Sequence, residues 1–260
     1  MSSKFSGVYK DTKKDGSANY RSSFTWKNKH ISLGSYSDEK SAADAYQFAL
    51  KLMSGNDKIS DYKQTCPLIF SKYVTLCNLR DNNLYISNPI YLENRYFTYH
   101  ISPEEDYKFD MDDLFYFSSH KIMKRGNHLF VSDYGMQVSL NDRYGIRPFA
   151  VLGRDYLFIN GDNLDYRREN IEIINRFYGV TKIQKKNTIK YKAVIHINGN
   201  VKIGEYNTEI EAAIAYNKAT DIVKKRGIEK KYPQNYIEGI SAKEYADIYS
   251  SIILCHSLQS

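Results

Sequence analysis

The chain has no run of about 18 consecutive apolar residues, which leaves no candidate for a membrane-spanning helix. Its first residues, MSSKFSGVYK, lack the apolar stretch of an export signal, so the chain is expected to be intracellular. Cysteine is scarce. Cys66, Cys77 and Cys255 are odd in number and far apart, which excludes a disulfide framework and a zinc-ligand spacing and leaves ordinary thiols of a reducing compartment. Neither a cofactor nor a metal is expected. With 42% hydrophobic and 26% charged residues the chain reads as a folded protein, and 260 residues allow one large domain or two to three small ones.

Basic charge is present but uneven. The formal net charge is +7, split as +4 in residues 1–54, −3 in 55–175, +8 in 176–235 and −2 in 236–260. Two basic blocks flanking a slightly acidic middle suit a polyanionic partner, although a solvated lysine-rich surface would carry the same charge.

The blocks are copies of one unit. ISLGSYSDEKSAADAYQFALKLM at 31–53 aligns with VKIGEYNTEIEAAIAYNKATDIV at 201–223. At an offset of 170, Gly34 matches Gly204, Tyr36 matches Tyr206, Ala42 and Ala43 match Ala212 and Ala213, Tyr46 matches Tyr216 and Ala49 matches Ala219. Upstream, GVYK at Gly7–Lys10 matches GVTK at Gly179–Lys182 with the offset drifting to 172.

Each copy has the same local pattern. A turn at Gly7-Val8 or Gly179-Val180 opens a first strand. The second strand alternates: Tyr20, Ser22, Phe24 and Trp26 against Arg21, Ser23, Thr25 and Lys27, and Tyr191, Ala193, Ile195 and Ile197 against Lys192, Val194 and His196. Turns are expected at Lys27-Asn28-Lys29 and Asn198-Gly199-Asn200, and a third strand is expected to end at Leu33-Gly34 or Ile203-Gly204. A helix follows. Ala42, Tyr46, Ala49 and Met53, like Ala212, Tyr216, Ala219 and Val223, make one apolar stripe, and Thr208 with Glu211 has capping-box spacing. Lys224, Lys225 and Arg226 can serve the helix C-terminus or phosphates, and Gly227 can close the helix.

The expected fold class is α+β: two small modules of three-stranded antiparallel sheet plus one helix, at 1–56 and 176–235, flanking a mixed, β-rich middle domain at 64–175, with an amphipathic helix in 236–260. In each module the helix covers one sheet face and leaves the other open and polar. A sheet of this width can enter the DNA major groove. The order GV…LGSY…SAADAY and GV…IGEY…EAAIAY resembles the APETALA-two/ethylene-response-factor DNA-binding domain over about 50 residues at each end. The resemblance implies a sheet lying in the major groove of double-stranded DNA. Its reading face would be Tyr9, Arg21, Ser23, Thr25, His30 and Ser32 in the first copy, with Lys27 beside it. In the second it would be Thr181, Lys192, Val194, His196, Asn200 and Lys202, with Lys190 beside it. The family places several arginines and a tryptophan there, whereas this chain has only Arg21. Thr, Val and Tyr would touch thymine methyls and Lys would anchor phosphates, which favours A·T-rich sites. Trp26 falls on the core side, and His30 and His196 read as surface polar residues, not metal ligands.

Residues 55–175 carry strand-like runs, LIFSKYVTL, NLYIS, RYFTYHI, LFYFSSHKI, HLFVS and MQVSL, and read as a β-rich domain ending in a short helix. Within them, DYLFINGDNLDYRRENIEIIN at 155–175 resembles the C-terminal half of an HNH-type homing endonuclease domain through Ile159-Asn160-Gly161 and Leu164-Asp165-Tyr166-Arg167-Arg168-Glu169-Asn170-Ile171. The family's Asp-His pair falls on Leu157-Phe158, and the upstream histidine expected near 148–152 is replaced by Pro148-Phe149-Ala150-Val151-Leu152. Phenylalanine can neither accept a proton nor bind a metal, so Phe158, Asp165 and Asn170 read as vestiges with no catalytic residue among them. Arg167 and Arg168 can contact phosphates or pair with Asp162, Asp165 or Glu169.

In SAKEYADIYSSIIL at 241–254, Ser241 and Glu244 have capping spacing, and Tyr245, Ile248, Tyr249 and Ile252 form a stripe that docks on a neighbouring module or makes a homodimer contact. The expected function is a sequence-specific, non-enzymatic DNA-binding protein, a transcriptional regulator derived from a mobile-element endonuclease. The alternatives are an active HNH-type endonuclease and a non-specific accessory DNA-binding protein.

Overall fold

The computed structural model describes residues 4–12, 16–255 and 258, and shows a mixed α+β chain whose sheets are antiparallel. Two compact units are present, Met1–Ser139 with Asp162–Arg168, and Leu140–Gly161 with Glu169–Ser260.

In the first unit, β1 (Val8–Thr12), β2 (Ala18–Trp26) and β3 (Lys29–Tyr36) form a sheet in that order. The β2–β3 turn is the two residues Lys27 and Asn28, at φ 44° and 66°. Two successive left-handed residues match the right-handed strand twist, which suits a two-residue hairpin. The third strand runs past Gly34 to Tyr36, two residues beyond the end expected from sequence. A bulge explains the extension. Ser22 pairs with Gly34 and Ser23 with Ser32, so Leu33 is the extra residue and pairing resumes beyond it. Helix α1 (Glu39–Ser54) starts at Asp38, whose carboxylate accepts the Ser41 N–H at 2.8 Å. Its Ala45, Ala49, Leu52 and Met53 pack with Phe24, Ile31 and Leu33 of the sheet.

The run LIFSKYVTL is not a strand. It lies largely in helix α2 (Phe70–Asn82), which packs on α1. Every residue from Tyr73 to Leu79 is buried, so the helix has no polar stripe to give it a 3.6-residue signature, and its β-branched and aromatic residues imitate a strand. Thr75 satisfies its hydroxyl by donating to the Ser71 carbonyl at 2.9 Å. NLYIS forms no strand either, because Asn83 ends α2 in the left-handed region at φ 54° and a loop follows.

Beyond it, β4 (Ile90–Leu92), β5 (Tyr96–Ser102) and β6 (Glu105–Asp110) form a second sheet, with Phe97 and Phe109 packed on Phe117 of helix α3 (Leu114–Ser119). LFYFSSHKI is thus divided between α3 and strand β7 (Ile122–Arg125), since consecutive aromatics fit a short buried helix as well as a strand. A third sheet joins β7 to β8 (His128–Asp133) and β9 (Met136–Ser139).

In the second unit, the short helix α4 (Leu140–Arg143) precedes the hairpin of β10 (Tyr156–Phe158) and β11 (Ile171–Ile173). The 55–175 segment ends on this strand and not on a helix. Only one 3-10 turn, Arg168–Asn170, forms before Ile171 and Ile173 alternate into the ladder. Next, β12 (Val180–Lys185), β13 (Thr188–His196) and β14 (Asn200–Tyr206) repeat the first sheet, including its bulge: Ala193 pairs with Gly204 and Val194 with Lys202, leaving Ile203 extra. Helix α5 (Glu209–Lys225) begins with the capping box of Thr208 and Glu211 and ends before Gly227, at φ 78°.

The glycines that open the two sheets answer to one constraint. Gly7 and Gly179 have φ 71° and 69°, and an added Cβ would lie 2.1 Å from the Tyr46 ring and 2.2 Å from the Tyr216 ring. Their carbonyls accept the N–H of Ser23 at 2.9 Å and of Val194 at 2.8 Å, at the bulge in each case. The Gly-Val and Ala-Ala-x-x-Tyr signatures therefore describe one tertiary contact made twice.

The second module is closed by the tail. Helix α6 (Ala242–Ser251) is capped by Ser241, which accepts the Glu244 N–H, and its stripe packs on α5. Lys218 donates to the Tyr249 and Ile252 carbonyls at 2.6 and 2.8 Å, and the Tyr249 hydroxyl donates to Asp221 at 3.1 Å. The apolar face considered for a dimer contact is thus used within the unit. The side chain of buried Asn217 donates to the Asn235 carbonyl at 2.9 Å and accepts the Asn235 N–H at 2.8 Å, and the Asn235 side chain in turn accepts the Tyr178 N–H and donates to the Tyr178 carbonyl. No helix among the described residues is long and apolar enough to cross a membrane.

Candidate nucleic-acid interface

The two sheets each bury one face under their helix and leave the other uncovered within their unit. The registers fix which side chains share the open face. In the second sheet, Thr181, Lys192 and Glu205 stand in one row, Val194 and Lys202 in the next, and His196 and Asn200 at the end. Ile183 pairs with Lys190, and Lys185 with Thr188, at the other end. Lys185, Lys190, Lys192 and Lys202 against Glu205 leave an excess of three positive charges.

Glu205 organises this face. Its carboxylate accepts from both Lys185 and Lys202. Hydrogen bonds first from Lys185 and then from Lys202 hold its carboxyl down to about 2, so it stays ionised between them. Lys190 donates to the Asn207 side chain and His196 is within 3.0 Å of Asn200. Lys192 makes no ion pair among the described residues.

The first sheet's open face has the same layout and a different charge. Tyr9, Arg21 and Ser35 form a row, Ser23 and Ser32 the next, and Thr25 and His30 the last. Arg21 pairs with Asp11, so the face is neutral among the described residues. Tyr9, Arg21, Ser23, His30 and Ser32 line a concavity of about 670 Å³. Tyr9 is 55% exposed and Arg21 64% by side chain, whereas Ser23 sits at the bulge with only 6% of its surface accessible. Lys27 is in the turn, off the strand, and donates to Asn83 at 2.7 Å, while Lys29 lies 4.6 Å from the Tyr85 ring.

Asp11 and Glu205 were missed from sequence, each for a definable reason. Asp11 shares the β1 alternation with Tyr9, but a carboxylate does not suggest a DNA contact. Glu205 lies in the stretch that the expected strand end at Gly204 cut off, and only the bulge returns it to the open face.

Phe158, Asp165 and Asn170 hold structure in these surroundings. Phe158 is buried and pairs with Ile171. Asn170 accepts the Asn160 N–H at 2.8 Å and its carbonyl takes the Ile159 N–H at 2.8 Å, which holds the loop after β10. Asp165 is fully buried and receives two guanidinium bonds from Arg167 at 2.9 and 2.6 Å. The Arg167 guanidinium also stands 5.1 Å from the Tyr96 ring. Arg168 is 56% exposed by side chain, with its N–H on Asp110 at 2.8 Å and its guanidinium 3.7 Å from Asp113. Asp155 is buried against Arg154 and Arg147. Among the described residues no three His, Cys, Asp or Glu side chains are grouped as a metal ion would need. No family model, curated protein or solved structure matches the chain.

Proposed function

We propose that this chain is a sequence-specific double-stranded DNA-binding protein, a transcriptional regulator derived from a homing endonuclease and without nuclease activity. One observation carries the reading: two matched sheet–helix units each leave a polar sheet face uncovered, and one of those faces concentrates lysines. A covered helix side and an open, cation-bearing strand side fit a major groove, where strands reach base edges and lysines reach phosphates. Two such heads on one chain gain affinity through effective concentration when both engage one duplex.

The segment at 155–175, with its likeness to an HNH domain, fits a scaffold that has given up chemistry. Phenylalanine stands where a proton acceptor or metal ligand is required, and Asp165 and Asn170 are committed to holding loops. Selection of bound molecules from a random duplex pool tests the proposal, and enrichment of a defined sequence is the expected result. Incubating the enriched duplex with the protein and Mg²⁺ or Mn²⁺ should leave it intact; cutting at a defined site would establish an endonuclease instead. Equal competition by random DNA would reduce the protein to a non-specific binder.

A further inference from the structure

We infer that the two open faces divide the work on one duplex: the first reads base identity through Arg21, and the second grips the phosphate backbone with little regard to sequence. The inference rests on the DNA-binding reading above and deepens it.

The charges carry the first part. Over the positions described in both copies, the second face has two positive charges in excess, from Lys190, Lys192 and Lys202 against Glu205, and the first has none, Arg21 standing against Asp11, although the two are copies of one architecture. Attraction to phosphates scales with the cations brought to them, so the second face supplies the salt-dependent, sequence-blind part of the affinity. Lysine suits that role, since its ammonium is a compact charge on a flexible stem and does not present a planar fork. Glu205 holds Lys185 and Lys202 from one carboxylate and keeps both over the same side of the sheet.

The side chains of the first face carry the second part. Arg21 occupies the position of Lys192, and its guanidinium is held by Asp11 at one nitrogen, with no other partner among the described residues. A guanidinium fixed on one side and exposed on the other presents its remaining donors as the fork that fits the O6 and N7 acceptors of guanine. Ser23 and Ser32, short where the second face has Val194 and Lys202, leave the concavity into which a base edge can come. A guanine is therefore expected in the half of the site that the first module covers, within flanks that the second module tolerates freely.

Fluorescence anisotropy with the pool-selected duplex and a scrambled duplex of equal length, at several salt concentrations, tests this. Lys192→Ala/Lys202→Ala is expected to weaken binding to both duplexes by the same factor and to make the slope of log affinity against log salt shallower by about 1.8, two phosphate contacts at about 0.9 each. Arg21→Ala is expected to lose about 10-fold to 100-fold on the selected duplex and little on the scrambled one, the value of one bidentate base contact. Arg21→Lys should keep the salt slope and lose the discrimination. Equal losses on both duplexes for Arg21→Ala, or losses on the selected duplex alone for the lysine pair, overturn the division. A pool that enriches nothing while salt-dependent binding persists also overturns it and leaves DNA binding standing. Absence of binding to any duplex removes both.

Discussion

Replacing Gly179 by alanine tests the contact on which the second open face is built. The new Cβ would lie 2.2 Å from the Tyr216 ring and 2.5 Å from the Val194 carbonyl oxygen, at a backbone φ of 69°. Two costs add. A left-handed backbone costs a Cβ-bearing residue about 1–2 kcal/mol. Forcing an extra carbon into a packed contact costs about 1–3 kcal/mol. The second unit should lose about 2–5 kcal/mol, a large share of the roughly 5–15 kcal/mol that holds a typical domain together. At about 4 °C per kcal/mol its thermal midpoint should fall by about 8–20 °C. Thermal unfolding followed by near-ultraviolet circular dichroism measures this. The ring's share of the steric part should depend on Tyr216: in a Tyr216→Ala background the same glycine substitution should cost less, because the ring clash is gone while the backbone cost and the Val194 carbonyl contact remain, so the double-mutant cycle shows a coupling of up to about 3 kcal/mol. Equal costs in both backgrounds would refute the reasoning. Gly7 and Tyr46 should behave alike, with Trp26, the only tryptophan, reporting on the first unit.

Asn217→Ala should destabilise the second unit by about 2–4 kcal/mol in chemical denaturation, because it strips partners from the buried backbone N–H and carbonyl of Asn235. Burial pushes the Asp155 carboxyl up, but the Arg154 and Val151 hydrogen bonds and Arg147 outweigh it, so its pKa lies below the usual carboxylate value. Its contribution to stability should be complete above about pH 4 and be lost as the pH falls through its lowered pKa; Asp155→Asn should flatten that acid limb in a pH series of melts. Burial pushes the Cys77 thiol up to about 12, and its side chain is inaccessible. In native protein Cys77 should therefore resist thiol reagents that reach Cys66 and Cys255, and react only on unfolding, as peptide mass mapping would show.

Much of the two end modules was legible in the sequence because their signals are local and occur twice. The Gly-Val turns, the alternation of β2 and β13, the capping box at Thr208 and the Ala-Tyr-Ala stripes each determine a piece of structure within a few residues. The bulges at Leu33 and Ile203 were not legible, since an extra residue in a ladder is settled by tertiary pairing, and with them Glu205 was lost from the open face. In the middle segment LIFSKYVTL reads as a strand although most of it lies in α2, because burial of every residue from Tyr73 to Leu79 erases the amphipathic period there. The candidate faces were readable by parity at Tyr9, Arg21, Lys192 and Lys202. The neutrality of the described residues of the first face was not, because it depends on Asp11 meeting Arg21 across strands and on Lys27 turning to Asn83.

Lysine-modification footprinting with and without a saturating duplex, read by mass spectrometry, addresses the interface itself. If the open sheet faces bind DNA, the duplex protects Lys185, Lys190, Lys192 and Lys202 and leaves Lys224 and Lys225, at the far end of α5, as reactive as in the free protein. Protection confined to the α5 lysines, or none at the four strand lysines while the duplex is bound, would contradict it.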